Sequence, residues 1–150
     1  MWQRIQTLYL AIGIILAFAG LFTSVITVEH AAGTIEITPL LFDAQGAGFG
    51  GWPLLVLWGG FVLLTASALL KFKNRKGQMR LVRYSFFMLF LVVITELSLI
   101  YVWRSGLASD AVVSYGGHLI MPFAAFLFNF MALKRIKKDD DLVKSVDRLR

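Results

Sequence analysis

Polar and apolar residues are laid out along most of this chain in long blocks. Four apolar blocks stand out, at residues 5–28, 52–70, 84–103 and 115–133. A helix needs about 20 apolar residues to cross the hydrocarbon core of a bilayer, and each block meets that length. The first two contain no charge, the third contains Glu96, and the fourth contains His118 and Asn129. The pattern predicts an all-α membrane protein with a transmembrane domain of four helices over 1–133 and a tail over 134–150.

The connections predict the orientation. Between the second and third blocks, KFKNRKGQMRLVR carries Lys71, Lys73, Arg75, Lys76, Arg80 and Arg83 with no acid, and the fourth block is followed by Lys134, Arg135, Lys137 and Lys138. Both segments are expected on the cytoplasmic side by the positive-inside rule, which places both termini there too. The 29–51 segment has Glu29, Glu36 and Asp43 and no Lys or Arg, and 104–114 has only Arg104 and Asp110. Within the former, VITVEHAAGTIEITPL reads as a small outer β-hairpin turning at Ala31–Ala32–Gly33. The first block is expected to be retained, since only Arg4 precedes it, its apolar run exceeds a signal-peptide core, and no A-x-A site closes it. Trp2, Trp52, Trp58, Tyr84, Tyr101, Trp103 and Tyr115 fall at or near block ends, where aromatic rings anchor at the interface.

Inside the blocks, Gly13, Ala17, Gly20 and Ser24 recur at i, i+4, i+7 and i+11, a stripe of small residues that lets helices approach closely in lipid. His118, Pro122, Ala125, Asn129 and Ala132 form a second stripe, expected to face protein. Measured from Arg83 and Lys134 at about 1.5 Å per residue, Glu96 and His118 lie at about 20 and 24 Å, with Ala17 at the matching level of the first span. A carboxyl at that depth costs about 2.5–3.5 kcal/mol to insert unless it is partnered. Glu96 is therefore expected to point into the bundle as a neutral hydrogen-bonding group. It would meet either His118 or the carbonyl that Pro122 frees on His118, and its replacement by leucine would cost about 1 kcal/mol or less. Arg104 is too far along the helix to be its close partner.

Composition narrows the chemistry further. Hydrophobic residues make up 58% of the chain and charged residues 16%, and a mean hydropathy of +0.73 is too apolar for a soluble domain. The net charge of +6 sits at block ends and forms no single face, so nucleic acid is not an expected partner. With no cysteine, thiolate chemistry, disulfides and Cys-ligated metals are excluded. G-x-S-x-G, H-E-x-x-H and P-loop patterns are absent, and GAGFGG precedes an apolar block without the strand that a phosphate loop needs. Glu29, His30 and Glu36 match no metal-ligand spacing, and His30 and His118 lie at different depths, unlike a haem pair. No cofactor, no metal and no enzymatic activity are expected.

After Asp139–Asp141, the segment LVKSVDRLR repeats Leu142, Val146 and Leu149 at i, i+4 and i+7 beside Val143, which predicts a short amphipathic C-terminal helix. Taken together, MWQRIQTLYL, KNRKGQMRLVRY and IKKDDDLVKSVDRLR resemble a family of small bacterial four-span proteins catalogued as domain of unknown function 4293. The likeness runs through the whole chain, and R-I-Q-T-L-Y-L and L-V-K-S-V-D-R-L-R are its most specific parts. It implies a bacterial inner-membrane protein of unassigned function, which supports the topology and supplies no activity. Arg4, Gln6, Asp147, Arg148 and Arg150 fall on these terminal motifs and would cluster on the cytoplasmic side. The expected function is that of a non-enzymatic accessory or assembly subunit of a larger membrane complex. Lys71, Lys73, Arg75, Lys76, Arg80, Arg148 and Arg150 would contact anionic lipid or partner subunits. The alternative is a small oligomeric proton-coupled transporter or channel built around Glu96, with His118 and Asn129 completing an intramembrane polar site.

Overall fold

A computed structural model describes residues 3–30, 33–40, 51–72, 74–105 and 112–148. Four helices, α1 (Gln3–Phe22), α2 (Trp52–Leu70), α3 (Arg75–Ser105) and α4 (Met121–Arg148), form an antiparallel bundle. Each is long and apolar enough to cross a membrane. Strands β1 (Ile26–His30), β2 (Gly33–Ile37) and β3 (Val112–Tyr115) and a 3-10 turn over Gly117–Ile120 close one end. Helix α1 packs on α4, α4 on α3, α3 on α2 and α2 on α1, so the four complete a ring.

The first helix is shorter than its apolar block. Residues 23–28 read TSVITV, and β-branched side chains crowd a helix backbone but suit a pleated one. Thr23 ends the helix by donating both its N–H and its hydroxyl to the Gly20 carbonyl, and β1 follows. The predicted hairpin is present, with Ile26 opposite Ile37 and His30 opposite Gly33. Its other edge is also used: β3, from a segment expected to be a plain loop, pairs antiparallel with β1, setting Ile26 opposite Tyr115. The sheet order is β2-β1-β3, so one small sheet stitches together both connections at this end. Tyr115 therefore ends a strand and does not begin the fourth span.

At the opposite, basic end the helices outlast their apolar blocks. Asn74 caps α3, its Oδ1 accepting the Gly77 N–H at 2.9 Å, as polar side chains at helix starts do. From there Lys, Arg, Gln, Met and Leu propagate helix well, so most of the predicted basic loop is the first two turns of α3. Helix α4 likewise runs unbroken through the tail to Arg148, because nothing after Pro122 is glycine or proline. The amphipathic tail helix exists as the last part of the fourth span and not as a separate element. At 31 residues, α3 is about 46 Å long and exceeds a hydrocarbon core of about 30 Å.

Two apolar clusters fill the interior. Beneath the sheet, Val25, Ile26, Val28 and Ile37 meet Leu54, Trp58, Phe61, Leu99 and Trp103. At the basic end Leu10, Ala68, Val82, Ala132 and Ile136 pack together. Trp52, Tyr84, Tyr101 and Tyr115 are exposed, as interfacial anchors must be, but Trp58 and Trp103 are core residues.

Candidate functional site

Three polar contacts join α3 to α4 and to the 3-10 turn that leads into it, one at each end of the apolar stretch and one between. At the basic end Arg75 Nε lies 3.1 Å from Asp139 Oδ2, and its Nη1–H donates to the Asp139 carbonyl. In the middle Asn129 Nδ2–H donates to Ser85 Oγ at 3.1 Å, and Ser85 in turn donates to the Val82 carbonyl. Near the sheet, Glu96 Oε1 lies 2.7 Å from His118 Nδ1. Ser85 follows Arg75 by ten residues and Glu96 follows Ser85 by eleven, while Asn129 and His118 precede Asp139 and Asn129 by the same intervals. Ten or eleven residues is about three turns. Helix α3 thus presents its three polar residues on one face, and antiparallel packing in constant register sets Asp139 and Asn129 of α4 and His118 of the preceding turn opposite them at steps of about 15 Å.

The third contact extends to a second helix. Trp58 on α2 donates its indole N–H to His118 Nε2 at 3.1 Å, and its ring meets the imidazole edge to face. Glu96, His118 and Trp58 are 1%, 0% and 0% exposed, so this chain of three is sealed from lipid and water. Its proton arrangement follows from chemistry. An indole nitrogen can only donate, so Nε2 must offer its lone pair, and the single proton of a neutral imidazole sits on Nδ1, facing Glu96. Glu96 Oε1 is the acceptor at the end of a one-way series, Trp58 to His118 to Glu96. The expected bond from Glu96 to a freed His118 carbonyl is not made, because that carbonyl accepts the Met121 N–H as the 3-10 turn passes into α4.

His118 is held from its backbone side by the sheet. The β1–β3 pairing continues past the strands, with Gly116 N–H donating to Val25 O and His118 N–H to Ser24 O. A methyl on Gly116 would stand 1.8 Å from the Ser24 carbonyl oxygen, so only glycine permits the approach. Among the expected packing residues, Gly13 faces Asn129 Oδ1 and Gly20 faces His118 and Met121, while Ala17 is buried between them. The residue of α1 against His118 is thus Gly20, one turn above the expected Ala17. Ser24 lies beyond the helix and contributes its carbonyl in place of a helix-packing surface.

The remaining expected contact residues separate. Arg75 is paired with Asp139 and is part of the helix junction. Lys71, Lys76 and Arg80 are exposed. Lys73 and Arg150 lie outside the described residues, as does Trp2, and Arg148 closes α4. Beside Arg75, Asp140 forms an ion pair with Lys144. The hydrogen bond from Lys144 and the nearby charges of Lys144, Lys76 and Arg75 hold its carboxyl below the ordinary carboxylate range. At the sheet end, Arg104 donates to the Tyr115 hydroxyl at 2.8 Å, away from Glu96.

Sequence reasoning missed Trp58, Ser85 and Asp139 as partners. Trp58 had a legible signal: it lies six residues, about 9 Å, inside Trp52 and so is deeper than an interfacial ring. Ser85 and Asp139 offered none without the helix register.

The fold and its enclosed polar contacts define a multi-pass membrane protein of four helices capped by a three-stranded sheet. The chain belongs to the family described as Domain of unknown function (DUF4293), whose model matches residues 2–149. No curated protein and no solved structure matches it.

Proposed function

We propose that this is a non-enzymatic membrane subunit, an accessory or assembly component of a larger complex in the bacterial inner membrane, with both termini cytoplasmic. The observation that carries this reading is the enclosure of Glu96. The acid is spent on holding α3, α4 and α2 in register through His118 and Trp58, which supports a scaffold over a conduit. A proton relay needs hydrogen-bonded steps, and the next hydrogen-bonded layer, Ser85 and Asn129, lies eleven residues away, about 16 Å along α3. Leu89, Val92, Ala17 and Ala125, all buried, lie in the interval, and the buried Thr65 hydroxyl, seven residues along α2 from Trp58, hydrogen-bonds to neither layer. The orientation rests on the charges: the N-terminus, the α2–α3 turn and the end of α4 share the end that carries Lys71, Lys76, Arg80, Lys137 and Lys138.

Purification of the full chain from native membranes in mild detergent, followed by mass spectrometry, tests the assembly reading. Stoichiometric foreign membrane subunits are the expected result, and a pure homo-oligomer favours the channel alternative. Reporter domains fused at the C-terminus are expected to be active only on the cytoplasmic side; activity on the opposite side overturns the orientation.

A further inference from the structure

Between α3 and α4, on the outside of the bundle, lies a groove of about 270 Å³ lined by Phe86, Leu89, Phe90, Val93, Pro122, Phe123 and Phe126. It contains no polar side chain and opens where lipid lies. From the groove, an aromatic track leads toward the basic end. Phe86 meets Phe126 with ring centroids 4.9 Å apart, Phe126 stacks parallel to Phe130, and Lys134 Nζ lies 4.6 Å over the Phe130 ring. The cation–π contact holds the ammonium at the foot of the track, where a flexible lysine would otherwise sweep a wide arc. On the facing helix, Arg83 precedes Phe86, Phe90 and Val93 by three, seven and ten residues, which puts it on the same stripe, and it is exposed.

From this arrangement we infer that the groove is a binding site for one anionic diacyl phospholipid. Its phosphate sits between Arg83 and Lys134, and an acyl chain runs up past Phe130 into the cleft at Phe90, Val93 and Phe123. The dimensions agree. Lys134 and Phe123 are eleven residues apart, about 16 Å, close to one leaflet of a hydrocarbon core of about 30 Å. The chemistry separates this occupant from a neighbouring protein helix: the register that sets Ser85 opposite Asn129 brings Arg83 within about one turn of the level of Lys134, with an apolar slot on the acyl side only. The site is distinct from the exposed Lys71, Lys76 and Arg80, none of which lines the groove. It is also independent of the subunit role proposed above, since it concerns what lies against this face in any assembly.

Native mass spectrometry of the full chain released from nanodiscs provides the test, with phosphatidylglycerol or phosphatidylcholine as the probe lipid. The wild-type chain is expected to retain one phosphatidylglycerol in preference to phosphatidylcholine. The double variant R83Q/K134Q is expected to lower that retention about 25-fold, at about fivefold for each cation near the surface. V93W, which fills the cleft and leaves both cations in place, is expected to abolish retention of either lipid with the helical circular-dichroism signal unchanged. Equal retention of the two lipids by the wild type overturns the proposal, as does undiminished preference in R83Q/K134Q, which would put the lipid at the α2–α3 turn. A lipid-free dimer that V93W dissociates would assign the groove to a second copy of this chain and overturns it too.

Discussion

Replacing Glu96 with leucine is expected to destabilise the bundle by about 1–3 kcal/mol, the range for leaving a buried polar partner unsatisfied. The expectation from sequence was lower because it used the average membrane hydrogen bond, whose broken partner finds another. Here His118 has no such freedom. Its Nε2 is occupied by Trp58, its backbone N–H by Ser24, and the Nδ1–H released by the substitution would face leucine in a closed interior. Glu96→Gln keeps a carbonyl oxygen that can accept the same proton and should stay within about 1 kcal/mol of wild type. Thermal unfolding in detergent orders the variants, and nitrogen NMR of His118 checks the cause. The wild type should show a protonated Nδ1 and an unprotonated Nε2. An imidazolium protonated at both nitrogens would refute the one-way series from Trp58. A Gln variant that folds and assembles normally yet loses a proton-dependent activity would make Glu96 a relay and displace the scaffold reading.

An effect at least as large is expected at a position with no side chain. In Gly116→Ala the new methyl would meet the Ser24 carbonyl oxygen at 1.8 Å and its carbon at 2.5 Å. These are backbone atoms, unable to swing aside, so the two segments must part. Separating them breaks the bonds from Gly116 to Val25 and from His118 to Ser24 and pulls His118 out of line with Glu96. Overpacking costs about 1–3 kcal/mol and sometimes more, and this substitution belongs at or above the top of that range. Gly117→Ala is the control, because nothing lies within 4 Å of the position its Cβ would take. If both variants unfold alike in the same detergent, the clash at Ser24 is not what makes Gly116 necessary.

Much of the architecture was legible because burial in hydrocarbon imposes a coarse rule. A spanning segment must be long, apolar and helical so that its backbone polar groups are satisfied internally, and four such blocks can be counted directly. The hairpin was legible from alternation around Ala31–Ala32–Gly33, and the meeting of Glu96 with His118 from depth alone, since two polar groups at one level in lipid seek each other. Errors gathered where the rule stops applying. The TSVITV segment is as apolar as helix but is β-branched, so a count of hydrophobic residues could not end α1 at Phe22. Charge likewise marked residues 75–83 as outside the membrane but said nothing of their conformation, which is helical; the helix of the tail was legible from its apolar repeat, but its continuity with α4 was not.

What pairs with what was decided in three dimensions. Local sequence sets the helices, their lengths and the face on which Arg75, Ser85 and Glu96 recur, because these follow from hydrophobic free energy and a 3.6-residue period. The rotation and axial shift of α4 against α3, which set Asp139, Asn129 and His118 opposite them, come from packing over the whole bundle. So does the turn of α2 that carries Trp58 inward. Even the place of His118 depends on β1 and β3, strands more than eighty residues apart in the chain, whose pairing holds the 3-10 turn against Ser24. Contacts of that separation leave no local trace, since each partner alone is an ordinary residue and only their joint burial makes the hydrogen bond favourable.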